Sequence, residues 1–256
     1  MTTCITYEFP LNERIRVFIR IEQLFMQLQH FLQETTVSDT RAAIKTLMDL
    51  LAIFSRNDIK SEILKEIDRH AKAFGLMTNI PGVDTEKLKA ILHDLDQMGR
   101  RLYANNEKLG VSVMQSDLFQ SISQRSSIPG GTCSFDLPAF HYWLEQDDSV
   151  LRNDLEQWTQ PFNDINQAIN MLLNFIRKSG RTTNEVAEAG FFQLALDSNQ
   201  LYQLLLIKMD RSLPYFAETS GGKHRFTIRF MSPSAENTRP SQTLVNVPFT
   251  LICCAF

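Results

Sequence analysis

Along the first two-thirds of the chain, apolar residues recur at three- and four-residue steps, the spacing that lines one face of an α-helix; in the last third they alternate, as in a strand with one buried face. The first helix is predicted over 11–33. Leu11, Ile15, Phe18, Ile21, Phe25, Leu28 and Leu32 share one arc, with Arg16, Arg20, Gln23 and Gln27 opposite. Pro10 suits its first turn. A second helix over 41–55 carries Ile44, Leu47, Leu51 and Phe54. A third, capped by Asn57 or Asp58, carries Ile59, Ile63, Ile67, Ala71 and Phe74 and stops at Gly75. A fourth starts at Asp84 or Thr85 and carries Leu88, Ile91, Leu95, Met98 and Leu102. Residues 105–113 read as loop, and a short helix capped by Ser116 follows to about 124.

The strongest break is SIPGGTCSFDLP at 127–138, where Pro129, Gly130 and Gly131 forbid a regular helix. Cys133–Phe135 reads as a short strand inside it. Pro138 opens a helix to 144, followed by helices over 150–159 and 161–178. Strands are predicted over 185–196 and 201–209. The stretch 223–230 places His224, Phe226, Ile228 and Phe230 on one face and Lys223, Arg225, Thr227 and Arg229 on the other, after a Gly221-Gly222 turn. Residues 232–241 form a polar loop. A last strand covers 244–254, with Pro248 marking an edge or a bulge. With a further short strand at 4–8, the expected fold class is α+β. A mainly helical domain spans 10–180, and a small, mostly antiparallel β domain spans 181–256, which residues 2–9 could join.

Composition narrows the function. A chain of 256 residues suffices for one large domain or two modest ones, and its 18 Phe are read as core material. The net charge of −3 is not that of a chain basic throughout, so any anion-binding surface must be local. The start lacks the pattern of a signal peptide, and no stretch approaches the roughly 18 apolar residues of a membrane span; a cytosolic protein is expected. Cys4, Cys133, Cys253 and Cys254 form no CxxC pair, so they are expected as reduced thiols, mostly packed as small apolar side chains, with no metal.

Phosphate-loop, GxSxG and HExxH patterns are absent, and no cofactor is expected. Cys133 and His141 are the best candidate for a nucleophile–base pair, but nothing orients the imidazole or marks an oxyanion hole, so no catalytic residue is expected. Basic patches remain. Arg16 and Arg20 lie one helical turn apart, and Lys223, Arg225 and Arg229 stand at two-residue intervals or multiples of them on one strand face. Each could be an ordinary solvated face, or a surface for an acidic peptide or nucleic acid.

Several stretches resemble the ZapD (YacF) family of bacterial cell-division proteins: YEFPLNERIRVFIRIE, ILKEIDRH, IPGVD, SIPGGTCSFDLPAFHYWL, KHRFTIRFM and the Cys-Cys near the end, in the family's order from Tyr7 to Cys254. The resemblance implies a cytoplasmic, non-enzymatic homodimer at the mid-cell division ring, with an α-helical and a β domain. Such a protein holds the C-terminal tail of FtsZ and bundles its filaments. It implies neither membrane nor nucleic acid as a partner, although a general acidic-peptide adaptor or a nucleic-acid binder could use the same patches. Arg20 and His141 match basic positions of the family's tail pocket, while a third basic position falls at Asp117 here. Arg56, Arg225 and Arg229 match positions implicated in bundling, and Arg125 is added for its place beside the SIPGG loop.

Overall fold

The computed structural model describes residues 3–34, 36–56, 58–105, 109–233 and 239–256. Thr2 of the segment 2–9 expected to join the β domain, Asn57 as a cap, and parts of the loops predicted at 105–113 and 232–241 lie outside the described residues. The fold is α+β. The chain divides into two compact units, one of Met1–Phe18 with Leu172–Phe256 and one of Ile19–Met171.

Strand β1 (Cys4–Pro10) leads into helix α1 (Glu13–Phe31). The helical unit continues with α2 (Val37–Arg56), α3 (Ile59–Leu76), α4 (Thr85–Ala104), α5 (Val111–Met114), α6 (Asp117–Arg125), α7 (Pro138–Leu144), α8 (Asp148–Thr159) and the first part of α9 (Asn163–Lys178). Short polar side chains start several of these helices by accepting backbone N–H groups: Asn12 Oδ1 from Ile15 at 2.9 Å, Asp58 from Ser61, Asp84 from Lys87 and Ser116 from Phe119. Most of the predicted stripe residues are buried, while Leu32, Leu51, Ala71, Phe74 and Ile91 are partly exposed; Ile44, Leu47, Ile63 and Leu95 are at 1% exposure or less. Burying one such aliphatic side chain stabilises by about 1.5–3 kcal/mol. An aromatic chain, Phe119–Trp158–Trp143–Phe140, joins α6, α8 and α7 through ring centroids 5.3–5.9 Å apart. The Trp143 indole donates to Asp154 at 2.8 Å, so its polar end is satisfied.

Among the described residues, the β unit contains two antiparallel sheets. The first has the order β1-β4-β8-β2, from β2 (Gly180–Ala187), β4 (Tyr202–Asp210) and β8 (Val247–Ala255). The second has the order β3-β6-β5, from β3 (Phe191–Ala195), β5 (Phe216–Gly221) and β6 (Arg225–Ser232), with β7 (Ser241–Gln242) also on β6. Leu205, Ile207, Phe249 and Leu251 of the first sheet and Phe226, Ile228 and Phe230 of the second form a common core. Leu204, Leu206, Ile252 and Cys254 are buried on the opposite face of the first sheet. Its central strand β4 therefore reads as a continuous apolar run rather than an alternation. On that same face the end of α9 is fixed to β1 by Arg177, which donates to both oxygens of Glu8 at 2.8 and 2.9 Å.

Several local expectations are corrected. Pro10 does not open the first helix; it ends β1 opposite Leu204, at a sheet edge where a missing N–H costs little. Gly75 does not stop α3, which runs to Leu76 and tightens into a 3-10 turn, Met77–Asn79, that closes the helix without a left-handed glycine. Cys133–Phe135 is not a strand but part of consecutive turns. The predicted strand at 185–196 is two strands in different sheets, reversed at Ala189 (φ 47°) and Gly190 (φ 71°). Strand β5 was not predicted, because AETSG carries no apolar alternation. Lys223 and His224 lie in the turn before β6 and not on its faces. Strand β8 is central, yet Pro248 lies beyond its β4-paired stretch, Thr250–Ala255, so no N–H is missing from that ladder.

Candidate functional site

In the helical unit, Arg20, Arg56, Arg125 and His141 are all exposed. Two of them end helices. Arg56 is the last residue of α2 and Arg125 the last of α6, where a cation complements the partial negative charge of the helix C-terminus by about 0.3–1 kcal/mol. Asp117 fits by the same rule, since it sits in the first turn of α6 where an acid is favoured. Arg16, one turn before Arg20 on α1, pairs with Glu13 at 3.3 Å.

The SIPGG loop brings some of these residues together. Gly130 has φ +72°, and a side chain on Gly131 would begin 2.6 Å from the Arg125 carbonyl. Successive turns follow, from Ile128 N–H to Arg125 O (3.0 Å), Gly131 N–H to Ile128 O (2.9 Å) and Cys133 N–H to Gly130 O (3.0 Å). They return the chain so that Asp136 lies 4.0 Å from Arg125, just ahead of α7. His141 projects from α7, with Nδ1 4.0 Å from Glu145. Arg125 and His141 thus flank one loop held by successive turns. Arg56 is separate from it, since it lies about 22 Å further along α2 than Arg41, the α2 residue that touches the loop, at ~1.5 Å per residue.

Sequence reasoning missed Arg41. Its Nη1 donates to the carbonyl and hydroxyl of Thr132 at 3.3 and 3.1 Å, and its guanidinium lies 4.8 Å from the centre of the Phe140 ring. The signal is weak in the sequence, where Arg41 is one more polar residue at the predicted start of a helix, 91 positions from its partner.

In the β unit, Arg225 and Arg229 are exposed on the outer face of β6, about 13 Å apart along the strand at ~3.3 Å per residue. Arg229 stands opposite Phe191 of β3 and Glu218 of β5. Arg225 stands opposite Ala195, and Thr227 between them shares a 2.8 Å hydrogen bond with Ser220.

Cys253 and Cys254 behave as expected of packed thiols. Burial pushes the first up to about 11 and the second up to about 12, so both stay protonated at neutral pH. Cys4 and Cys133 depart from expectation, since both are exposed. For Cys133 the reason is the turns that replace the predicted strand. Among the described residues no group of three His, Cys, Asp or Glu side chains is placed to hold a metal, and no helix is long and apolar enough to cross a membrane.

Comparison with known proteins bears on what these surfaces serve. The profile of the ZapD family, described as a cell division protein, matches residues 19–229. The cell division protein ZapD of Methylococcus capsulatus is 45% identical over 254 residues, covering 99% of both chains. That of Nitrosomonas eutropha is 36% identical over 98% of this chain and 99% of its own, and that of Chromobacterium violaceum 34% over 98% and 100%. The chain belongs to the ZapD family of cell division proteins.

Proposed function

We propose that this protein is a non-enzymatic division factor that binds the acidic C-terminal tail of FtsZ. As a cytoplasmic homodimer it bundles FtsZ filaments at the mid-cell ring. The observation that carries the proposal is full-length similarity to proteins named cell division protein ZapD, and exposed basic side chains at the positions expected to meet the tail add to it. The residues assigned to the tail are Arg20, His141 and Arg125, and those assigned to bundling are Arg56, Arg225 and Arg229.

A disordered tail loses conformational entropy on binding, so each contact is weak. A dimer presents two equivalent sites, and a filament displays many tails, so weak sites cross-link by avidity. Cations that meet tail carboxylates at an exposed surface make the contact salt-sensitive.

Fluorescence anisotropy of a labelled FtsZ tail peptide tests the assignment. Affinity is expected to fall steeply from about 50 to about 300 mM salt. Arg20→Glu is expected to weaken binding by about ten-fold, which is ~1.4 kcal/mol. Unchanged affinity in Arg20→Glu removes that residue from the site, and no binding at low salt removes the tail as the ligand.

A further inference from the structure

Behind the SIPGG loop lies a cleft of about 230 Å³, lined by Arg41, Ile44, Ile122, Ile128, Thr132 and Phe140. Its size falls below the roughly 300–1,000 Å³ of small-molecule pockets, so it suits one side chain and not a cofactor. Its lining is mainly apolar, and the loop that forms one wall is held by the turns around Gly130 and Gly131.

The charge in this cleft is unusual. Lys45 also lines it, but is paired with Asp49 at 2.8 Å. Arg41 is half-buried, and among the described residues its two hydrogen bonds both leave the same nitrogen for Thr132. A guanidinium carries five N–H donors. Among the described residues no carboxylate pairs with Arg41. A partly desolvated cation without a counter-ion costs free energy that a bound anion offsets. A site that joins an apolar hole to such a cation is complementary to an aliphatic side chain beside a carboxylate.

We propose that this cleft receives one aliphatic side chain of an acidic peptide, with a neighbouring carboxylate of that peptide on Arg41. Phe140 forms part of the lining and is followed directly by His141, so the cleft adjoins the proposed tail site. The identity of the peptide rests on the tail-binding proposal above; the chemistry of the cleft does not.

Calorimetric titrations of the full chain and of Arg41→Gln with the FtsZ tail peptide, and with versions in which one carboxylate at a time becomes its amide, form a double-mutant cycle. One carboxylate is expected to lose about five-fold in affinity when neutralised against the wild type and almost nothing against Arg41→Gln. If Arg41 only holds the loop, every peptide weakens by the same factor in the variant, and the proposal is overturned.

A second measurement avoids both the variant and FtsZ. Amide resonances of the wild-type protein are followed as N-acetyl-leucyl-aspartyl amide is added to millimolar concentration. Saturable shifts at Gly130, Gly131 and Thr132 support the cleft even if the tail peptide does not bind, in which case only the tail assignment fails. Unmoved resonances at those residues overturn the cleft itself.

Discussion

His70 is fully buried in α3, where its Nδ1 donates to the Glu66 carbonyl at 2.8 Å. Burial lowers its pKa to about 4 from the ordinary 6.5, so at neutral pH the ring is uncharged, and Glu66 pairs with Arg69. Above pH 6.5 the folded and unfolded chains are both neutral at this site and its contribution to stability is complete. As pH falls from about 6.5 to about 4, the unfolded chain takes up a proton that the folded chain refuses, and stability is lost by an amount on the order of 3 kcal/mol. Urea unfolding between about pH 7.5 and about pH 4.5 should show this loss in the wild type and a flatter dependence in His70→Gln. Equal slopes for the two proteins rule out His70 as the source. Only part of this was legible in the sequence. The i, i+4 spacing of Glu66 and His70 is plain, but the burial that sets their chemistry depends on what packs over them.

At the scale of elements, the turn at 188–190 carries a heavy constraint, because there the chain leaves one sheet and enters the other. Gly190 adopts φ +71°, and a Cβ on it would sit 2.6 Å from the Thr243 carbonyl, which is backbone and cannot swing aside. Gly190→Ala should therefore destabilise by about 1–3 kcal/mol, seen as a lower urea midpoint at unchanged slope. An unchanged midpoint means that the turn relaxes freely.

The same turn marks where sequence reading ran out. Helix stripes such as Ile59–Ile63–Ile67 could be read because one-sided burial imposes a 3.6-residue period, and β6 because it alternates. The split of 185–196 could not, since both halves are strand-like and the reversal is held in part by residues far along the chain, with Asn246 accepting from Ala189 N–H, Gln242 donating to the Ala189 carbonyl and Phe230 N–H donating to the Gly190 carbonyl. Strand β5 was hidden because its pairing with β6, not a buried face, holds it in place. In the site, charge was legible and partnership was not. Arg20, Arg56, Arg125, His141, Arg225 and Arg229 could be picked out as basic positions, whereas the contact of Arg41 with Thr132 joins residues 91 positions apart.

At the scale of the whole molecule, the proposed function sets two units of one chain, each with exposed cations, against a polymer that repeats one acidic tail many times. Neither unit needs a strong site if both copies of a dimer engage neighbouring filaments, because the second contact is made at the effective concentration set by the first. Bundling should then be steeply cooperative in tail density and lost together with the tails. Arg225→Glu combined with Arg229→Glu should leave binding of an isolated tail peptide within about two-fold of wild type while reducing bundling, seen as lower light scattering from polymerised FtsZ. Equal loss of both would merge the two assigned surfaces into one.

The most direct test of the central claim is co-sedimentation with polymerised FtsZ, comparing the full-length polymer with one lacking its C-terminal tail at low and moderate salt. Pelleting is expected with the full-length polymer alone, weakening as salt rises. Equal pelleting with the tailless polymer, or none with either, contradicts it.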